Sequence, residues 1–343
     1  MEVILNTLYV TLDKAYLHLD HDTIRIEEER ETRLRVPLHH LGSVVCFGNT
    51  LVSPALMHRL ADDGKALVLL DGNGRFKARL EGSVSGNVLL RRDQFARLDQ
   101  PEFSVPVARA VVAGKIRNAR TSLMRGAREA KLSTDTEALA AAARGLAASL
   151  RALPVAVDLD GVRGVEGEAA RRYFAAMNLL VRADLRSDFA MDGRTRRPPR
   201  DRLNALMSFL YALLTNDCRS ALEAVGLDPQ VGLFHALRPG RAALALDLME
   251  EFRPIIDRLA LTLVNRGQLA ARDFEMREGG AVSLRADARK TVLVAYQERK
   301  QEKLHHPLAD REVAFGLIPL LQARFLARVV RGDMESYVPF TVK

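Results

Sequence analysis

A chain of 343 residues, 48% hydrophobic and 27% charged, is long enough for two domains and has the composition of an ordinary globular protein. Its 51 Lys and Arg outnumber its 43 Asp and Glu, and the resulting formal charge of +8 favours polyanionic partners. Two lone cysteines, Cys46 and Cys218, argue against a disulfide framework or a structural zinc site, and no run approaches the ~18 apolar residues of a membrane span.

At the N-terminus, Asn6, Asp13 and Lys14 interrupt any secretory-signal pattern, so a cytoplasmic protein without a membrane partner is expected. Residues 1–85 then read mostly as strands. Tyr16–Leu19, Thr23–Glu27 and Leu34–Leu38 alternate at period two, and Val44–Phe47 is a short apolar run closed by Gly48-Asn49. Ser53-Pro54 starts a helix, with Ser as cap and Pro at the first helical position, and the helix ends near Asp63-Gly64. Ala66–Leu70 and Arg75–Leu80 flank Asp71-Gly72-Asn73-Gly74, a hairpin signal. From about residue 90 the period is helical. Helices are expected over Val107–Ala130, Thr134–Ala152, Glu166–Val181, Arg202–Val225, Ala242–Asn265, Ala286–Gln301 and Arg311–Arg331. Between them lie a turn-rich connector (Leu153–Gly164), an arginine-rich loop (Arg182–Arg200) and a loop, Gly226–Gly240, that carries His235. The fold class is therefore α+β: a small N-terminal β-rich, sandwich-like domain (1–85) followed by a larger all-α domain (86–343).

Four features carry chemistry. Asp247, Glu250 and Glu251 sit in an apolar helical stretch, where residues three and four apart share a face, so Asp247 lies beside both glutamates. Buried carboxylates resist ionisation unless a cation neutralises them, and here that is either a metal or the nearby Arg253 and Arg258. His235 precedes this helix in a Gly/Pro-punctuated loop, and imidazole with carboxylates suits a hard or borderline divalent cation such as Mg²⁺ or Mn²⁺. Glu166 is flanked by Gly164 and Gly167 at the start of a helix, either as a further ligand or as a partner of the helix dipole. Arg194, Arg196, Arg197 and Arg200, held by Pro198-Pro199, suit phosphate contacts or form a solvated loop. His21-Asp22 imitates a phosphohydrolase dyad but falls in a β-turn, while His39-His40 and His305-His306 read as exposed pairs at loop or helix ends.

Taken in order, Gly-Val-Glu166-Gly-x-Ala-Ala-Arg-x-Tyr173-Phe174, Arg194-x-Arg-Arg-Pro-Pro-Arg-Asp201-Arg-Leu-Asn204-Ala-Leu, and Gly-Leu-Phe-His235 followed by Leu-Asp247-Leu-Met-Glu250-Glu-Phe-Arg253-Pro254 resemble the CRISPR-associated spacer-acquisition integrase family. The tail resembles its subtype I-C branch. The resemblance implies metal ligands at Glu166, His235 and Glu250, where some relatives have Asp at the last position, with Asp247 as an accessory acid. It implies DNA contacts from Arg194, Arg196, Arg197, Arg200, Lys115 and Asn118. The implied reaction is Mg²⁺- or Mn²⁺-dependent transesterification, in which the 3′-OH of a short DNA duplex attacks a phosphodiester at the CRISPR leader–repeat boundary. The implied partners are double-stranded DNA (prespacer and leader–repeat), a second copy joined through the β-rich half as a homodimer, and a small ferredoxin-like CRISPR adaptation protein. Two rival readings share these residues: a non-enzymatic DNA-binding scaffold, and a metal-dependent nuclease that does not integrate.

Overall fold

The computed structural model describes residues 7–12, 14–72, 74, 76–80, 82 and 87–342. The chain divides into two compact units, residues 1–85 with 285–301, and residues 86–284 with 302–343.

The first unit contains β1 (Thr7–Val10), β2 (Tyr16–Asp20), β3 (Thr23–Glu28), β4 (Glu31–Pro37), β5 (Ser43–Phe47), β6 (Leu51–Val52), α1 (Pro54–Asp62), β7 (Ala66–Leu70) and β8 (Phe76–Leu80). They form two four-stranded sheets, in the orders β1-β5-β7-β8 and β4-β3-β2-β6. Period-two alternation turns Leu17, Ile24 and Ile26 of one sheet inward. They share a single buried core with Val10, Val44, Cys46 and Leu67 of the other and with Leu56 and Leu60 of α1. The β-rich, sandwich-like expectation is borne out. The helix begins as its sequence dictates, since the Ser53 hydroxyl accepts from the Leu56 amide at 3.3 Å ahead of Pro54. β7 and β8 pair antiparallel on either side of the expected hairpin turn, of which Asn73 and the adjoining Arg75 lie outside the described residues.

The second unit is mostly helical: α2 (Val88–Leu98), α3 (Pro101–Glu129), α4 (Ser133–Ala152), α5 (Leu159–Ala175), α6 (Arg186–Phe189), α7 (Arg202–Val225), α8 (Ala243–Met249), α9 (Arg253–Asn265) and, beyond α10 (Ala286–Gln301), α11 (Ile318–Arg331). α10 belongs to the first unit, which corrects the assignment of everything past residue 85 to one domain. Its Gln297 amide donates to the Thr7 carbonyl at 3.2 Å, and the Arg289 guanidinium donates to the Gly72 carbonyl. Helical periodicity reveals a buried face but not which core receives it. The unit is also not wholly α. β9 (Phe274–Met276) pairs with β10 (Val282–Leu284), and β11 (Lys303–His306) pairs with β12 (Arg311–Ala314), where a helix was expected from Arg311. His306 in that ribbon is fully buried, not exposed, with its Nε2 3.1 Å from Gln322 Oε1.

Two further boundaries shift in ways that matter. α5 starts at Leu159, capped by Asp158, whose carboxylate accepts from the Gly161 amide at 2.7 Å. Glu166 therefore lies inside a helix and not at its start. The helix expected over Ala242–Asn265 breaks at Glu250–Phe252 before Pro254 re-initiates α9. The Ala-rich α4, extended to Val155, is long and apolar enough to cross a membrane by length and composition, contrary to the expectation that no such run exists. It instead packs along α3 and α5, and its Asp135 pairs with Arg186 at 2.5 Å. Both cysteines are buried free thiols.

Candidate active site

The site is assembled from five segments of the helical unit: the loop that carries His235 and the helices α3, α5, α8 and α9. The loop ahead of α8 is pressed onto that helix. A Cβ at Gly232 would meet the Ala243 Cβ at 2.7 Å and Asp247 Oδ2 at 2.9 Å, so only glycine fits there. Asp247, on α8 and almost fully buried, acts as an anchor for the loop. Its Oδ2 accepts from the amides of Leu233 (2.6 Å) and Phe234 (3.0 Å), and its Oδ1 accepts from the amide of His235 (2.9 Å). The same Oδ1 lies 2.6 Å from His235 Nδ1. A carboxylate on Nδ1 places the proton there and leaves Nε2 as the free lone-pair face of the ring, the arrangement that orients metal-binding histidines.

His235 Nε2 faces Glu250, 3.7 Å from its Oε1. Glu250 closes the last turn of α8, where the helical break turns its carboxylate into the cluster. Arg253, at the first turn of α9, pairs with Glu250 Oε1 at 3.0 Å. From α3, Lys115 Nζ lies 2.7 Å from Glu250 Oε2 and also contacts Glu166 Oε1 of α5. Burial pushes the Glu250 carboxyl up, yet the charges of Arg253 and Lys115 outweigh it and hold the group down to about 2. Glu250 is thus an ionised carboxylate inside the protein. Its Oε2 has the Lys115 ammonium as its partner.

Glu250 is the link between the expected residues: its Oε1 lies 3.7 Å from His235 Nε2, its Oε2 meets the Lys115 that also contacts Glu166, and Asp247 holds His235 from behind. Among the described residues no three His, Cys, Asp or Glu side chains are gathered as a formed metal site, and the Lys115 ammonium stands between the two glutamates. The donor set nevertheless suits a divalent cation: an oriented imidazole nitrogen, a buried carboxylate held low by neighbouring positive charge, and a second carboxylate partly open to solvent. Glu166, His235 and Glu250 are the residues that could supply ligands to such a cation.

Several residues depart from expectation. Glu251 does not share the Asp247 and Glu250 environment. It is fully buried and accepts from Tyr337 Oη at 2.5 Å, Gln322 Nε2 at 3.1 Å and the Phe340 amide, so it ties down the C-terminal segment. Asn118 is not a DNA contact. It is completely buried, with its amide donating to the Glu251 (2.7 Å) and Phe340 (3.0 Å) carbonyls and its oxygen accepting from Val342. Lys115 serves the acid cluster and not an outer DNA surface. Arg194 is also turned inward, donating to Asn204 Oδ1 at 2.7 Å and lying over the Tyr211 ring at 5.3 Å. Arg196 and Arg197 are exposed, while Arg200, also exposed, donates to the Gly279 carbonyl.

Two supports were not foreseen. Arg163, one turn before Glu166, donates to the Phe234 carbonyl at 2.8 Å and so ties α5 to the His235 loop. Its role follows from the sequence only once α5 is known to begin before it. The Tyr211 hydroxyl donates to Asp257 at 2.6 Å, and Arg253 lies over the Tyr211 ring at 5.0 Å, which backs the arginine that pairs with Glu250. Burial pushes Asp257 up to about 6 despite Tyr211, Arg194 and Arg253. A pocket lined by Lys115, Glu166, Tyr173, Phe174, Arg196 and Tyr211 adjoins the acids.

Comparison with known proteins places this geometry in context. Residues 8–298 match the family described as CRISPR associated protein Cas1. The chain is 54% identical over 341 residues to the CRISPR-associated endonuclease Cas1 1 of Moorella thermoacetica, covering 99% of each chain. Among solved structures, a Cas1 protein from Thermotoga maritima superposes with a TM-score of 0.81 at 21% identity, covering 98% of this chain and 100% of that one. A casposase bound to an integration product superposes with a TM-score of 0.82 at 20% identity, covering 98% of this chain and 93% of that one. At these identities the two structures establish a common fold.

Proposed function

This chain belongs to the CRISPR-associated Cas1 family, and from that premise we propose that it is a metal-dependent DNA strand-joining enzyme of spacer acquisition. The observation that carries the reading is the position of Glu250, whose Oε1 lies 3.7 Å from His235 Nε2 while its Oε2 faces the Lys115 ammonium that also contacts Glu166. The proposed reaction is transesterification: the 3′-OH of a short DNA duplex attacks a phosphodiester at the leader–repeat boundary of a CRISPR array, forming one P–O bond as the P–O bond to the flanking array strand breaks and releases that strand's hydroxyl. A bound Mg²⁺ or Mn²⁺ supplies stabilisation of the charge developing on the phosphoryl oxygens. Glu166, His235 and Glu250 would hold that ion, Asp247 fixes the imidazole, and Arg253 keeps Glu250 ionised and in place. The exposed Arg196 and Arg197 meet phosphates beside the site.

The tyrosines support a substrate nucleophile over a protein one. Burial raises both Tyr173 and Tyr211 well above the usual phenol range, and the Tyr211 hydroxyl is spent on Asp257. Homodimerisation through the β-rich half, assembly with a small ferredoxin-like partner and placement in the subtype I-C branch belong to the same proposal and rest on sequence resemblance. The test combines the protein, its small partner, a prespacer with free 3′-OH ends and a plasmid carrying the leader–repeat. Joined product should require both the divalent cation and the free ends. Joining that persists with blocked 3′ ends would refute the nucleophile. Cleavage without joining would favour the nuclease, and DNA binding with neither would favour the scaffold.

A further inference from the structure

Resting on the metal-site reading above, we propose that Lys115 is a built-in counter-cation, whose ammonium fills the ion position between Glu166 and Glu250 until a divalent cation displaces it. Three independent elements meet at this one atom. Lys115 comes from the middle of α3, Glu166 from the middle of α5, and Glu250 from the break after α8. The ammonium contacts Glu166 Oε1 and lies 2.7 Å from Glu250 Oε2. Lys115 is 13% exposed and Glu250 4% exposed, so solvent does little to separate the two acids. Without an internal cation the ionised carboxylates would repel one another, and the metal-free site would open or take up protons.

Lysine suits this role better than the neighbouring arginine. Its charge is compact, lacks the rigid fork of a guanidinium, and rides on a flexible four-carbon stem that can swing aside. Arg253 has no such freedom, being buried over the Tyr211 ring while it pairs with Glu250. The Glu250 oxygen facing Lys115 has that ammonium, 2.7 Å away, as its partner, so an ion taking that oxygen must take the place of the ammonium. A dication and an ammonium cannot share one gap. Ion binding must therefore move Lys115, and the displaced ammonium becomes free for an anion such as a DNA phosphate.

The experiment measures Mn²⁺ binding to the full-length, EDTA-treated and desalted protein by calorimetry, comparing the unaltered chain with Lys115→Met and Lys115→Arg. Lys115→Met keeps the length of the side chain and removes its charge. It should bind Mn²⁺ about tenfold or more tightly and melt at a lower temperature in EDTA. Lys115→Arg keeps the charge and should bind no more tightly than the unaltered chain. Should Lys115→Met fold poorly, amine labelling of the unaltered protein read by mass spectrometry gives a second measurement, with Lys115 protected in EDTA and labelled once Mn²⁺ is added. Equal or weaker Mn²⁺ binding by a folded Lys115→Met, or labelling that ignores Mn²⁺, overturns the inference while leaving the metal site standing. Failure of the unaltered chain and Lys115→Met alike to bind Mn²⁺ overturns both.

Discussion

Asp247→Asn is the most informative single substitution, because it separates an orienting acid from a ligand. Asp247 accepts two hydrogen bonds on each oxygen, from the Leu233 and Phe234 amides on Oδ2 and from the His235 amide and Nδ1 on Oδ1. Whichever way the Asn amide is turned, its NH₂ faces two donors that have lost their acceptor. Hydrogen bonds to a charged group are worth roughly 1.5–3 kcal/mol each, but these four form one network and do not add. Breaking a buried charged network by altering one member costs about 3–5 kcal/mol, and a domain of this size loses roughly 2–4 °C of melting temperature per kcal/mol. A fall of roughly 6–20 °C in EDTA, followed by circular dichroism, is therefore expected. Because Asp247 holds His235 and does not bind the ion itself, Mn²⁺ affinity measured by calorimetry should weaken by about 10–100-fold without vanishing. A melting temperature and an affinity both unchanged would refute the anchoring argument. Complete loss of binding, as expected for Glu250→Gln, would make Asp247 a ligand.

Other substitutions test separate parts of the structure. Burial pushes Glu251 up to about 8 from its ordinary value of 4.5, against the hydrogen bonds of Tyr337, Phe340 and Gln322. With the folded value raised, the stability it contributes is full below the unfolded pKa and is lost as pH climbs through the folded one. Glu251→Gln should therefore flatten the decline in melting temperature between pH 6 and 8 that the unaltered chain shows, and an unchanged slope would count against it. Gly232→Ala has no room for its Cβ and should cost about 1–3 kcal/mol in denaturant melts. Gly164→Ala, inside α5 with nothing within 4 Å of the added carbon, should instead stabilise by about 0.5–1 kcal/mol, and a loss would mean α5 is wrongly placed. Arg196→Ala and Arg197→Ala should each reduce the log–log salt slope of DNA binding by about 1. Arg194→Ala should lower the melting temperature and leave that slope alone.

Much of this was legible from residue patterns, and the exceptions share a cause. Period-two alternation found β2, β3 and β4, a short apolar run found β5, and Ser53-Pro54 and Asp201 marked the starts of α1 and α7, because those signals are local. Spacing also brought His235, Asp247, Glu250 and Glu166 under suspicion. It could not show that Asp247 turns back to the His235 loop while Glu251 turns away to Tyr337, since the helix carrying them breaks before Pro254. The resemblance implied DNA contacts at Lys115, Asn118 and Arg194, and the arginine run pointed the same way for Arg194, yet all three turn to internal partners. Each is satisfied by partners 10 to more than 200 positions away in the chain, which no local pattern encodes. Likewise α10 reads plainly as a helix, yet only tertiary structure assigns it to the β-rich unit.

The central claim is that Glu166, His235 and Glu250 form one ion site for DNA strand joining. Its most direct test is the yield of labelled prespacer joined to a leader–repeat plasmid, with the small partner and Mn²⁺ present, for Glu166→Gln, His235→Ala and Glu250→Gln beside the unaltered chain. The account predicts that each variant binds DNA normally in a filter or mobility assay yet joins no detectable product. Joining at the unaltered level by any folded variant of the three would contradict it.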